Sequence, residues 1–132
     1  MFVDASALCA ILLDEPDSDE LAAKLAQAPY RLTSAVAVFE TVRALIRVVE
    51  MDVSAARAVV TRFLDVAQIN TIDIGDAERE AALDAMDRFG KGRHPAKLNM
   101  GDCFAYACAR THAAPLLFKG DDFVHTDVPV VA

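Results

Sequence analysis

The sequence predicts an α/β fold of three layers (α/β/α), in which a central parallel sheet lies between two layers of helices. Short apolar runs alternate along the chain with longer segments of helical periodicity, and this alternation is typical of a parallel sheet covered by helices. The first run, residues 1–3, ends abruptly in the carboxylate of Asp4. The chain has 132 residues, enough for one sizeable core, so we expect residues 1–132 to form a single domain.

In the first half of the chain, the pattern predicts two strands and four helices. Asp14-Glu15-Pro16 ends the first helix, and Ser34 and Asp52 are predicted to cap the third and the fourth. The apolar face of the third helix, which includes Phe39, is predicted to point toward the core. The predicted strands are residues 1–3 and 30–33, and the predicted helices are residues 5–13, 17–28, 34–49 and 52–67.

In the second half, strands and helices continue to alternate. A strand within residues 68–74 is followed by a helix that Asp76 is predicted to cap and that Gly90 ends. After a loop come a helix over residues 100–112, a strand over 115–118, a polar connection over 119–127 and a last short strand over 128–131.

The charge of the chain restricts its partners. Thirteen Lys and Arg stand against 20 Asp and Glu, and the net charge of −7 argues against broad, nonspecific binding to nucleic acid. No apolar run approaches the length of a membrane span, and the first residues do not have the pattern of a signal peptide. We therefore expect no membrane association and a cytoplasmic location. The three cysteines lack the spacing of metal ligands and are predicted to be small buried residues.

Four carboxylates are predicted to approach one rim of the sheet. Asp4 ends the first strand, and Asp122 follows the strand of residues 115–118. Glu40 lies in the third helix, and Asp102 opens the helix of residues 100–112. Right-handed crossovers leave the carboxyl ends of parallel strands on one rim, where α/β proteins bind their ligands.

Each of these acids also has an ordinary explanation. A strand-end aspartate is often a turn or cap residue. Glu40 shares a stripe of the third helix with Arg43 and Arg47 and could form a solvated ion pair. Asn99 and Asp102 have the spacing of a capping box. A capping carboxylate can still face the rim, however, so the two interpretations of Asp102 are compatible.

Converging carboxylates require a cation, because like charges a few ångströms apart raise one another's pKa. Ligands that are all oxygen suit Mg²⁺ or Mn²⁺. The chemistry that needs such a site is phosphoryl transfer to water, in which a metal ion activates the attacking water and steadies the leaving oxygen.

Around these acids the sequence resembles PIN-domain ribonucleases of the VapC toxin type, and the resemblance covers essentially the whole chain. The matching stretches are residues 3–8, Phe39-Glu40-Thr41, residues 98–107, residues 116–123 and Thr126-Asp127. The resemblance implies a compact PIN-like domain and Mg²⁺- or Mn²⁺-dependent hydrolysis of RNA, often a tRNA or an rRNA loop. It also implies a VapB-like antitoxin and homodimers within a larger toxin–antitoxin complex, which would bind operator DNA only through the antitoxin.

Carried over residue by residue, the resemblance implies a site made of Asp4, Glu40 and Asp102. We expect Asp4 and Asp102 to hold the principal metal ion, and Glu40 to orient or deprotonate the attacking water or to help hold a second ion. Asp122 is predicted to complete the acidic pocket through water, with Asp121 as its competitor for the fourth position.

The one clearly basic stretch is a loop shortly before Asp102. Its charged residues are Lys91, Arg93, His94 and Lys97. They are predicted to grip RNA phosphates, which would make binding sensitive to salt; the alternative is a loop that only aids solubility. The hydrophobic fraction of 55% suggests a homodimer through faces of the second to fourth helices, and a groove there would also suit an antitoxin helix.

Three other classes of function remain open from the residues alone. A phospho-accepting receiver-like domain could use Asp73 and Lys119, but it needs paired acids after the first strand, and Asp4 is followed by Ala5. A dehalogenase-like phosphatase needs a second aspartate where this chain has Ser6. A non-catalytic protein-binding module is the third possibility.

Overall fold

A computed structural model describes all 132 residues, and a parallel sheet of four strands lies at its centre. The strands are β1 (Phe2–Val3), β2 (Leu32–Ser34), β3 (Asn70–Ile72) and β4 (Leu116–Leu117). Their order across the sheet is β3-β2-β1-β4, and every neighbouring pair is parallel. The first strand is therefore central, and the residue that follows it emerges in the middle of the rim.

Six helices cover the sheet. They are α1 (Ala5–Leu12), α2 (Ser18–Gln27), α3 (Ala35–Val49), α4 (Val53–Val66), α5 (Asp76–Phe89) and α6 (Met100–Thr111). None of them is long and apolar enough to cross a membrane. Phe2 and Leu116 join the apolar cluster beneath α5 and α6, whereas Val3 and Leu117 join the cluster beneath α1 and α2. Successive side chains of a strand point to opposite faces of the sheet. A strand of two residues can therefore contribute one side chain to each helix layer. The predicted α/β/α architecture is confirmed.

Two of the predicted helix caps are present in the structure, and a third is not. The side chain of Ser34 caps α3 and that of Asp52 caps α4, as predicted. The predicted cap at Asp76 is wrong, because α5 begins at that residue and Gly75 occupies the cap position. Glu78 accepts a hydrogen bond from the backbone N–H of Gly75 at 3.0 Å, and this contact replaces an aspartate cap.

The predicted strand over residues 128–131 is also wrong. Only Val130 pairs with the sheet, in a single bridge to Leu116. The connection before it contains a short 3₁₀ helix, Asp122–His125. The hydrophobic pattern was a poor guide here because the segment packs at the sheet edge without extending the ladder.

Phe39 is a further departure. The pattern places it on the core side of α3, yet 69% of it is exposed. The buried line of α3 is formed by Ala37, Thr41 and Leu45, which are spaced four residues apart and set the rotation of the helix. Phe39 lies two residues from this line and consequently points away from the core.

Candidate functional site

Asp4 stands at the carboxyl end of the central strand and caps α1. Its Oδ2 accepts hydrogen bonds from the backbone N–H of Ser6 at 3.0 Å and from the Ser6 hydroxyl at 2.5 Å. The Ser6 Oγ in turn accepts a hydrogen bond from the backbone N–H of Lys119, just after β4, at 3.0 Å. Ser6 therefore joins the ends of two neighbouring strands and orients Asp4, which is only 4% exposed.

Glu40 reaches the same rim from α3 through a close approach to α6. A Cβ atom placed on Gly101 would overlap the carboxylate of Glu40. No larger residue fits at this position while Glu40 keeps its place, so the missing side chain of Gly101 creates the space that the carboxylate occupies. Sequence reasoning did not single out Gly101, although a glycine in the first turn of a helix is a usable signal.

Asp102 is held by the predicted capping box, which is confirmed. Its Oδ2 accepts a hydrogen bond from the Asn99 backbone at 3.1 Å, and its own backbone N–H donates to the Asn99 side chain at 2.9 Å. These bonds fix the carboxylate at the start of α6, where the helix dipole favours negative charge. The cap and the position at the rim thus coexist.

The three carboxylates line one cavity of about 420 Å³. The lining includes Asp4, Ser6, Cys9, Glu40, Arg43, Arg47, Asn99 and Asp102. The structure therefore brings together three of the four acids that the sequence singled out. Asp122 is not part of the lining; it is exposed at the start of the 3₁₀ helix.

Asp122 nevertheless acts on the cavity through its charge, which raises the pKa of both Asp4 and Asp102. Phe123 beside it is 2% exposed and packs edge-on against Phe118 at 5.1 Å. Phe123 thus anchors this loop to the core, and Asp122 lies at the edge of the site.

A second contact holds the far end of the 3₁₀ helix. Asp127 accepts a hydrogen bond from the Tyr106 hydroxyl at 2.6 Å and one from Arg88 at 3.1 Å. The Tyr106 bond, and then Arg88, lower the pKa of Asp127. Asp127 therefore connects the segment after β4 to α5 and α6.

The acids in the cavity hold their protons more tightly than free carboxylic acids. Burial raises the pKa of Asp102 to about 7, with further contributions from the charges of Asp4, Asp122 and Glu40. Burial is also the main cause of the raised pKa of Asp4 and of Glu40, and Asp4 adds to the effect on Glu40. When ionised, the three carboxylates are buried and repel one another, and a bound cation would stabilise their ionised forms.

The residues present fit a hard divalent cation. The acidic donors are oxygen atoms, which Mg²⁺ and Mn²⁺ prefer, and Gly101 leaves room for the Glu40 carboxylate beside α6. No three His, Cys, Asp or Glu side chains form a cluster at metal-ligand spacing. A cation here would therefore keep several water ligands, as Mg²⁺ usually does.

Comparison with known proteins gives the family. The PIN domain profile matches residues 1–129. Ribonuclease VapC30 of Mycobacterium tuberculosis is 39% identical over 132 residues, covering 100% of this chain and 98% of that relative. Ribonuclease VapC of Mycolicibacterium smegmatis is 40% identical over 131 residues, covering 99% of both proteins. This chain belongs to the PIN-domain family.

A solved PIN domain shows the same fold. The crystal structure of Mycobacterium tuberculosis VapC20, described as a toxin that cleaves the sarcin–ricin loop, matches with a TM-score of 0.76 and 19% identity. The match covers 96% of this chain and 95% of that one. The family model and the two VapC relatives together confirm the resemblance to PIN-domain ribonucleases of the VapC toxin type. VapC-type members of this family generally depend on divalent metal ions, act on RNA and are paired with VapB antitoxins.

The receiver-like alternative does not fit this PIN domain. The Lys119 ammonium group forms ion pairs with Glu15 and with Asp17, and it thereby joins the segment after β4 to the loop between α1 and α2. Asp73 lies after β3, at the edge of the sheet farthest from β4. The two residues therefore cannot form one receiver site.

Two arginines of the PIN domain line the acidic cavity, although the sequence pattern alone indicated surface residues. Arg43 and Arg47 follow Glu40 on the same stripe of α3 and are exposed to solvent. The charge of Arg43 partly offsets the raised pKa of Glu40. A guanidinium group can bind two phosphate oxygens at once. Arg43 and Arg47 therefore place two such cations at the acidic cavity.

The predicted basic loop lies outside the cavity. None of its four charged residues, Lys91, Arg93, His94 and Lys97, is part of the lining. Arg93 lies 3.8 Å from Asp87, and the His94 ring packs edge-on against Phe89 at 5.1 Å. Lys91 lines a neighbouring apolar groove between α5 and α6. Binding of RNA by this loop stays a prediction.

The raised pKa values predict that rising pH destabilises the metal-free protein. From about pH 4 to pH 7 the folded state keeps a proton on Asp102 that the unfolded state, with a pKa near 3.9, has lost. Asp102 alone should therefore lower the free energy of unfolding by about 2 kcal/mol across this window, allowing for solvent screening, and the raised pKa of Asp4 and of Glu40 should add to the fall. Urea unfolding at a series of pH values measures it.

The variant Asp102→Asn should make this slope shallower, because it removes one of the protons that the folded state retains, and Asp4 and Glu40 account for the slope that is left. Asp84→Asn, at an exposed position on α5 outside the cavity, is the control and should keep the slope. Adding Mg²⁺ should stabilise the wild type more at pH 8 than at pH 5, since the ligands must be ionised to bind it. An unchanged slope in Asp102→Asn would contradict the assignment.

Proposed function

We propose that this protein is a metal-dependent ribonuclease toxin that hydrolyses phosphodiester bonds in RNA and is neutralised by a VapB-like antitoxin. The observation that carries the proposal is the cavity in which Asp4, Glu40 and Asp102, from three different elements, meet Arg43 and Arg47. The similarity to proteins named VapC ribonucleases supports RNA as the substrate. We take residues 1–132 as one catalytic domain, acting in the cytoplasm, where RNA and the antitoxin would be present.

In the proposed site, Asp4 and Asp102 hold the principal ion, Mg²⁺ or Mn²⁺. A bound divalent ion would supply a Lewis acid for the phosphodiester and an acidified water for the attack. Ser6 keeps the Asp4 carboxylate in one orientation through its two hydrogen bonds. The capping box does the same for Asp102.

The other side chains of the proposed site act on the attacking water and on the charge of the phosphate. Glu40 orients the attacking water or accepts its proton, and its raised pKa makes it a better base than an exposed glutamate. Arg43 and Arg47 neutralise phosphate oxygens on the open side of the cavity. Asp122 completes the acidic edge through water, and its electrostatic effect on Asp4 and Asp102 favours it over Asp121.

Asp4→Asn and Asp102→Asn should each lower metal-dependent RNA cleavage by about a hundredfold or more, the loss seen when a group that stabilises transition-state charge is removed. Asp122→Asn should lower cleavage less, and Asp121→Asn should leave it unchanged. Mapping of RNA ends after expression of each variant reads out the effect and identifies the target. Circular dichroism verifies that each variant folds. Full activity in either of the first two variants would refute the metal site.

The basic loop is proposed to bind phosphates outside the cavity. Replacing Lys91, Arg93, His94 and Lys97 together by Gln should weaken RNA binding and make its salt dependence shallower, by about 0.7 in the logarithmic slope for each phosphate that is no longer neutralised. The double variant Arg57→Gln, Arg62→Gln removes two exposed arginines of α4 outside the cavity and is the control. If the loop variant bound RNA with unchanged affinity and slope, the loop would have no role in RNA binding.

We also propose a homodimer within a larger complex with the antitoxin, so that operator DNA is reached only through the antitoxin. Apolar side chains exposed on α3 and α4 support this interface; they are Val48, Val49, Val53, Val59 and Val66. Replacing Val49 and Val53 by Ser should convert a dimer to a monomer in sedimentation experiments. A wild-type protein that sediments as a monomer throughout the micromolar range would contradict the dimer.

A further inference from the structure

One aromatic side chain is exposed directly beside the acidic cavity. Phe39 precedes Glu40 in α3, and 69% of it is accessible to solvent. It lines a second cavity of about 470 Å³, together with Val36 and Met100, which is itself 71% exposed. These three residues form an apolar surface, which we call the base shelf. The proposed chemistry of phosphate hydrolysis gives this surface no role.

The base shelf is continuous with the acidic cavity. Glu40, Arg43 and Asn99 line both cavities, so a molecule that lies on the shelf also meets the carboxylates and a guanidinium group. Phe39, Arg43 and Arg47 are spaced four residues apart along α3, so they lie on one side of the helix at intervals of about one turn. An aromatic ring is thus followed by two cations along one line.

This order matches the chemistry of a nucleotide. A nucleobase has a flat π face that stacks on an aromatic side chain, and its phosphate is an anion that guanidinium groups bind. The chain as a whole has a net charge of −7, so the two arginines beside the shelf are local cations in an acidic protein. An aromatic ring followed by two guanidinium groups therefore favours RNA over a protein segment as the occupant.

We propose that the base shelf binds an unstacked nucleobase of the RNA strand, next to the phosphate held at Arg43. The inference rests on the proposed ribonuclease function and adds a base-binding residue to that site. The base must be unstacked, because the faces of bases in a duplex are covered by their neighbours. Phe39 is then a specificity-determining residue that recognises a base without reading its edges.

The test compares two RNA probes of equal length, a short dye-labelled oligoadenylate and a chain that has the same ribose and phosphate groups but no bases. The full-length protein carries Asp4→Asn to prevent cleavage, and anisotropy in Mg²⁺ buffer gives each Kd. The starting variant should bind oligoadenylate about tenfold more tightly than the abasic chain, a difference in the range of base–aromatic stacking. Adding Phe39→Ala or Phe39→Leu should remove the preference and leave abasic binding unchanged, whereas Phe39→Trp should retain it.

Tyr30→Ala is the matched control. Tyr30 is 78% exposed and precedes β2, at the end of the sheet opposite the acids, so its loss should leave the preference intact. The proposal is overturned if Phe39→Ala keeps the preference for bases or weakens the binding of both probes equally. It is also overturned if the starting variant does not bind oligoadenylate. It is also overturned if Phe39→Ala changes only the sedimentation of the RNA-free protein, because Phe39 would then contact protein.

Cleavage of RNA by the wild type is measured separately. It distinguishes failure of the base-shelf proposal from failure of the proposed ribonuclease function. A wild type that cleaves RNA only with a divalent ion, while Phe39→Ala retains the preference for bases, would preserve the proposed function and remove only the base shelf. A wild type without metal-dependent cleavage would remove the function itself.

Discussion

The architecture of the site depends on the burial of one carboxylate at the end of the central strand. Asp4 follows a strand of two residues whose side chains enter opposite apolar clusters, so its position is set by the core of the whole protein. Ser6 satisfies one of its oxygens and also accepts a hydrogen bond from the backbone after β4. Displacing Asp4 would therefore disturb the junction of two strands as well as the cap of α1.

The same burial sets a conflict between stability and function. Buried acids near one another favour their protonated forms, and burial raises the pKa of Asp4, Glu40 and Asp102 alike. Ionising these carboxylates in the buried cavity carries an energetic cost. Groups that break a rule of local stability are expected at functional sites, and here the cost is offset when a cation binds the ionised carboxylates.

Much of this arrangement was predictable because it depends on residues close together in the chain. The caps at Ser34 and Asp52 and the capping box of Asn99 with Asp102 involve contacts across three residues. The alternation of strands and helices similarly predicted a parallel sheet. The predictions failed at residues 128–131 and at Phe39, where the surroundings and not the local pattern decide whether a segment pairs or a side chain is buried.

The sequence by itself determined the order of the six helices and the four strands of the sheet, the strand that ends in Asp4 and the identities of the acids that approach the rim. Only the tertiary structure decided that Glu40 lies against Gly101, that Arg43 and Arg47 line the cavity, and that Phe39 faces solvent beside it. The physical reason is the rotation of α3 about its own axis. Hydrophobic periodicity determines that rotation only roughly, whereas packing against α1, α4 and α6 determines it fully.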